Sequence, residues 1–191
     1  MADFIELFAE AAAVFDGLIG RLKDDQWQNP TPDEEWSVRD LVNHVTVEDL
    51  WVPDMMAGKT VAEVGSKFDG DQLGDDPKAV WAKASESAVN TFKAHPKGVA
   101  HLSFGDTPAQ GYASQMFLDH LIHAWDLAKG AGLDYTPSQT LVEAGFMEMS
   151  KQAEDWRRGG AFKAKVEVSQ NATILDKLLA LTGRNPNWKA K

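Results

Sequence analysis

A chain of 191 residues that is 43% hydrophobic is long enough to fill one core, and it reads most economically as a single domain over residues 1–191. It has no cysteine, which excludes disulfides, thiolate metal sites and a cysteine nucleophile, so any sulfur chemistry needs a thiol from outside. A net charge of −10 repels phosphate backbones and anionic membrane surfaces, so neither a nucleic-acid nor a membrane partner is expected.

The first twenty residues carry Asp3, Glu6, Glu10 and Asp16 without a basic leader, unlike a signal peptide, and no apolar run is long enough to cross a bilayer. A cytoplasmic protein is expected. Phe4, Leu7, Phe8, Ala11, Phe15, Leu18 and Leu22 form one stripe and predict a helix over 3–24. Pro30 and Pro32 stop it. Ser37 with Asp40 approximates a capping box, opening a second helix at Val38 that Pro53 is expected to interrupt. Residues 54–75 read as a long glycine-rich connection with one short helical turn. Asp76-Pro77 opens a third helix running to Pro96, and a short strand is expected within 99–104. A fourth helix runs from Pro108 to Lys129, closed by Gly130 and Gly132, and a fifth over 138–156. Val166-Glu167-Val168 reads as a brief strand, and a last helix over 172–182 ends at Gly183. The fold class is all-α: a four-helix bundle with a long crossover, a short C-terminal appendage and one or two short strands.

Asp119 and His123 of the fourth helix are i and i+4, about 40° apart on the wheel. They offer two metal ligands. A third nitrogen from another helix would complete a catalytic-type site with one position open, and His44 is the candidate. Tyr112, Asp119, His123 and Asp126 share a narrow face opposite Phe117, Leu118, Leu121, Ile122 and Trp125. By periodicity alone such a polar stripe reads as a solvated surface. Against that, histidine and tyrosine are unusual choices for solvation, and the Lys–Glu pairing of exposed helices is missing.

The stretch Trp36-Ser37-Val38-Arg39-Asp40-Leu41-Val42-Asn43-His44 resembles a block of the DinB-like superfamily, and within it the metal-binding domain of mycothiol-dependent maleylpyruvate isomerases. Gly105-Asp106-Thr107-Pro108-Ala109 followed by Asp119, His123, Asp126, Leu127 and Ala128 is similar to a second block of that branch. Leu178 to Pro186 is similar to the C-terminal signature of short actinobacterial members. The resemblance implies a divalent metal, usually Zn2+ with Ni2+ an alternative, bound by His44, Asp119 and His123. Maleylpyruvate isomerases place Glu where this chain has Asp119, and the shorter side chain leaves the metal's identity open.

His120, about 100° round from Asp119, is read as a structural or surface histidine, with a substitute ligand as the other reading. Asp126 could hold the second N–H of His123 or cap a neighbouring helix. Tyr112 and Arg184 are candidates for substrate contact; otherwise Tyr112 simply packs, and Arg184 is an exposed cation beside a helix C-terminus. His95 and His101 are expected to face solvent. The resemblance points to an enzyme that holds mycothiol or a similar low-molecular-weight thiol as a metal thiolate for S-transfer or cis–trans isomerisation of a small electrophile. The alternatives are a non-catalytic metal-binding or stress-associated bundle, and a metal-dependent hydrolase using activated water. Either a monomer or a homodimer is compatible with the sequence.

Overall fold

The computed structural model describes residues 2–190. Helix α1 spans Phe4–Arg21, α2 Val38–Met56, the single turn α3 Val61–Val64, and α4 Pro77–Ala94. Strands β1 (Val99–Leu102) and β2 (Gly105–Pro108) follow, then α5 (Ala109–Ala131), α6 (Gln139–Arg158) and α7 (Ile174–Leu181). The fold is an all-α bundle with one small two-stranded sheet. No described helix is long and apolar enough to cross a membrane.

Capping side chains set most helix starts. Asp3 accepts from the Ile5 and Glu6 amides, and Ser37 and Asp40 form a reciprocal capping box. Asp76 caps α4 with Pro77 in its first turn. Pro53 lies inside α2 and does not end it, contrary to the sequence expectation. The helix continues because its buried side chains Val52, Met55 and Met56 are held by the core on both sides of the proline. The single strand expected at 99–104 is a hairpin, pairing Val99 with Pro108 and Leu102 with Gly105. Val166–Val168 is no strand. Among the described residues its one backbone link of this kind is the Val166 amide donating to the Ala180 carbonyl, since no neighbouring strand is present to pair with.

Helices α1, α5, α2 and α4 contact one another in that cyclic order, closing a four-membered ring, while α6 covers α5 and α1 and pairs with α7. The core falls into two clusters. One gathers Phe8, Val52, Met55, Phe92, Phe117, Leu121 and Leu178. The other gathers Phe15, Leu18, Leu41, Val45, Trp81 and Leu127. Helix α5 is the centre of the bundle and is buried over most of its length, including Tyr112, His123 and Asp126. The polar stripe that periodicity reads as solvated therefore faces other helices.

Helices α2 and α5 run antiparallel. Val38 at the start of α2 meets Gly130 near the end of α5, whereas Met55 and Tyr112 at the opposite ends share a cavity. The segment entering α2 lies tightly on α5: a Cβ at Gly130 would stand 3.0 Å from the Pro30 carbonyl oxygen and 3.0 Å from Val38 Cγ2. The long connection is tied back to α2 by Asn43, whose side-chain amide donates to the Gly70 carbonyl while its oxygen accepts from the Gln72 amide. Replacing Gly130→Ala forces backbone apart at this contact, and we expect a loss of about 1–3 kcal/mol by overpacking. Calorimetry checks it, and an unchanged Tm would refute the close approach.

Candidate metal centre

Three side chains from α2 and α5 converge where the helices cross. His44, Asp119 and His123 each offer a ligand atom, all within 4.8 Å of one another. His44 Nε2 lies 3.6 Å and His123 Nε2 3.4 Å from the same oxygen, Asp119 Oδ1. A tetrahedral site with bonds of about 2.0–2.1 Å has ligand–ligand edges of about 3.3–3.4 Å, so the group needs little adjustment to close on a cation. Asp119 Oδ2 is enclosed and has no hydrogen-bond partner. Such an orphaned carboxylate oxygen is costly unless a positive charge faces it.

The imidazoles are oriented from behind. Asp126, completely buried, accepts from His123 Nδ1–H at 3.0 Å, which leaves the Nε2 lone pair aimed at the cluster. Arg184 balances the Asp126 charge, with Nη2 at 3.0 Å and Nε at 3.3 Å from Asp126 Oδ2, and it also reaches Asp33 at 3.3 Å. Its side chain is only 10% exposed. Arg184, a candidate for substrate contact with an exposed cation as its other reading, is thus an internal counter-ion rather than a solvent-exposed charge. Gly183, at φ 80°, turns the chain after α7 so that the guanidinium points back into the bundle. The indole of Trp36 lies against both ligand rings, with centroids 4.6 Å from His44 and 5.6 Å from His123. Trp36 is held there by its turn: Thr31 Oγ1 donates to the Trp36 carbonyl, and the Trp36 amide donates to the Asp33 carbonyl.

The charges are mutually adjusted. Burial opposes ionisation of Asp119, but His123 and His44 outweigh it and hold the carboxyl well below its usual range. Burial likewise opposes charge on His44, and Asp119 overrides it, raising the imidazole above its ordinary value. Asp126 is lowered in spite of burial by Arg184 and His123. Glu48, one turn beyond His44 on α2, is raised by burial and by the neighbouring Asp119 charge. Nothing in the sequence reading gave Glu48 a role, although its i+4 spacing from His44 was the available signal.

His120 is neither a surface residue nor a fourth ligand. It is fully buried between Phe8, Phe15 and Trp81. Its Nδ1–H donates to the Met116 carbonyl at 2.8 Å, and its Nε2 lies 3.3 Å from the Asp49 carboxylate oxygens. Tyr112 is buried two turns before Asp119, against Phe92, and touches a cavity beyond the ligands. His95 is exposed at the end of α4, and His101 is half-exposed and paired with Asp106. A wide cleft of about 870 Å³ near Phe4 and Met147 contains none of the three candidate ligands.

The family described as the mycothiol maleylpyruvate isomerase N-terminal domain matches residues 8–128, the region that supplies all three candidate ligands and Asp126. The chain belongs to this family. It is also similar to two proteins of Mycobacterium tuberculosis, Uncharacterized protein Rv0738 of strain H37Rv and Uncharacterized protein MT0763 of strain CDC 1551. Each is 31% identical over 125 residues, covering 64% of this chain and 64% of the relative. The match thus spans just under two thirds of those relatives' length. No solved structure matches the chain significantly.

Three outcomes follow from this arrangement. Asp126→Asn should weaken metal binding about 10–100-fold while leaving the candidate ligands in place, and metal uptake should release protons and weaken as the pH falls through the raised His44 value, because a proton on His44 competes with the cation. Isothermal titration in two buffers of different ionisation enthalpy reads both, and pH-independent binding would exclude His44 as a ligand. His120→Leu leaves the Asp49 carboxyl buried without its partner and should cost about 3–5 kcal/mol, most of it recovered in the double variant Asp49→Leu/His120→Leu. Chemical denaturation decides this, and additive losses in the double variant would count against a coupled pair.

Proposed function

We propose that this protein is a metal-dependent enzyme that activates a low-molecular-weight thiol, of the mycothiol type, for transfer to a small electrophile or for its cis–trans isomerisation. The observation that carries the reading is the convergence of His44 Nε2 and His123 Nε2 on Asp119 Oδ1, beside the orphaned Asp119 Oδ2. Membership of a family named for mycothiol and maleylpyruvate isomerase supports the choice of chemistry. A divalent cation held by these three side chains, Zn2+ or Ni2+, supplies a Lewis acid that makes a coordinated thiol a thiolate near neutral pH. The chain, having no cysteine of its own, needs such an external nucleophile.

The protein's own groups do the rest. Asp126 fixes the His123 tautomer, and Arg184 keeps Asp126 ionised. Trp36 walls the ligand imidazoles on one side and also lines a polar cavity of about 360 Å³ with Lys163 and Arg184, which suits the hydroxyl-rich body of a thiol sugar. Glu48 takes up the thiol proton in this reading. Sulfur then bonds to the electrophilic carbon as the π pair moves onto a conjugated carbonyl. Protonation gives the adduct. Rotation followed by loss of the thiolate gives the isomer, with no net oxidation.

Elemental analysis of untagged protein prepared without added metal comes first, followed by thiol-dependent consumption of an electrophile. We expect about one equivalent of zinc or nickel, lost in His44→Ala and His123→Ala. No metal in the wild type, and no uptake from added zinc, would end the reading. Stoichiometric metal without thiol-dependent turnover would leave a non-catalytic metal-binding bundle or a hydrolase.

A further inference from the structure

The α2 face that begins with His44 continues through Glu48, Trp51 and Met55, spaced i, i+4, i+7 and i+11. The facing stripe of α5 runs back from Asp119 through Gln115 to Tyr112. Because the helices are antiparallel, following both stripes away from the ligands leads into a groove of about 250 Å³ that contains Glu48, Trp51, Met55, Tyr112 and Gln115. One helical turn advances about 5.4 Å, so the groove begins about one turn from the candidate metal ligands. Leu102 and Phe104 of the hairpin close its far side, and Val61 of the long connection reaches it as well. Phe104 is 68% exposed and Val61 38% exposed. Apolar side chains are therefore held at its rim.

The charge in this groove is selective. Among its lining residues Glu48 is the one carboxylate, and there is no lysine, arginine or histidine. A dicarboxylate seated here would lose its water beside a like charge with no cation to pair with its outer end. The neutral polar groups are of a different kind. Tyr112 is a buried residue whose hydroxyl makes no hydrogen bond among the described residues and is not enclosed, and it is held protonated, hence a donor to a molecule in the groove. The Gln115 amide stands one turn from it.

We propose that this groove binds the electrophile, and that the electrophile is an uncharged carbonyl compound with an apolar or aromatic body, its carbonyl oxygen accepting from the Tyr112 hydroxyl. Dicarboxylates of the maleylpyruvate type are excluded. This rests on the thiol-transfer reading for the chemistry, but the binding it describes is measurable without thiol or turnover.

The test is titration of the metal-containing protein with acetophenone and, separately, with maleate, a dianion of similar size, following the Trp51 indole N–H by nuclear magnetic resonance. Acetophenone should shift that signal at a concentration at least about tenfold lower than maleate does, and Glu48→Gln should narrow the difference. Ser103→Trp, at the exposed turn of the hairpin, should block the groove and weaken acetophenone binding by about tenfold or more while metal content is retained. Maleate acting at equal or lower concentration, or Ser103→Trp leaving acetophenone binding unchanged, would overturn the proposal. Either result with stoichiometric metal leaves the thiol-transfer reading standing. Loss of that reading would instead show as missing metal or missing thiol-dependent turnover.

Discussion

The fully buried carboxylate of Asp126 is the constraint on which the site depends. A lone charge at the centre of a helical bundle is not tolerated. Asp126 is satisfied by Arg184 from the C-terminal turn and by His123 from its own helix. Arg184 in turn reaches Asp33, so one guanidinium ties the segment after α7 to the turn that presents Trp36. One buried anion thereby sets the tautomer of a candidate ligand, the position of the chain end and the wall over the metal centre. The C-terminal appendage is part of the site for this reason, although the family match ends at residue 128.

The second constraint is the antiparallel contact of α2 and α5. Gly130 permits it at one end by leaving room for the Pro30 carbonyl and Val38. In the middle it carries two layers of titratable groups that differ in accessibility. The His44, Asp119 and His123 layer is partly open to solvent. The Asp49 and His120 layer, although adjacent in sequence to a ligand, is sealed among aromatic rings. The first is reachable from solvent. The second pairs an imidazole of α5 with a carboxylate of α2 away from solvent.

Local signals in the sequence carried most of the secondary structure. The Ser37–Asp40 box, the Asp76-Pro77 start and the hydrophobic stripe of α1 are interactions between residues a few positions apart, so they are visible without a partner. Pro53 misled because a proline's effect on a helix depends on whether tertiary packing holds both halves, as Val52, Met55 and Met56 do. Val166–Val168 misled in the opposite direction, since β propensity has no effect where no strand is available to pair.

The sequence alone determined that the protein is helical, lacks its own sulfur nucleophile, and places Asp119 and His123 on one face of a helix, with His44 recognisable by resemblance. The tertiary structure decided what that face looks onto. An amphipathic wheel distinguishes polar from apolar sides, but it does not distinguish water from another helix as the neighbour of the polar side. Only the packing turned a stripe that reads as solvated into a half-buried cluster of candidate metal ligands, engaged Arg184 in an internal salt bridge, and sealed His120 beside Asp49. Each depends on contacts between residues some sixty or more positions apart, from His44 with Asp119 to Asp33 with Arg184, and such contacts leave no periodic mark in a single chain.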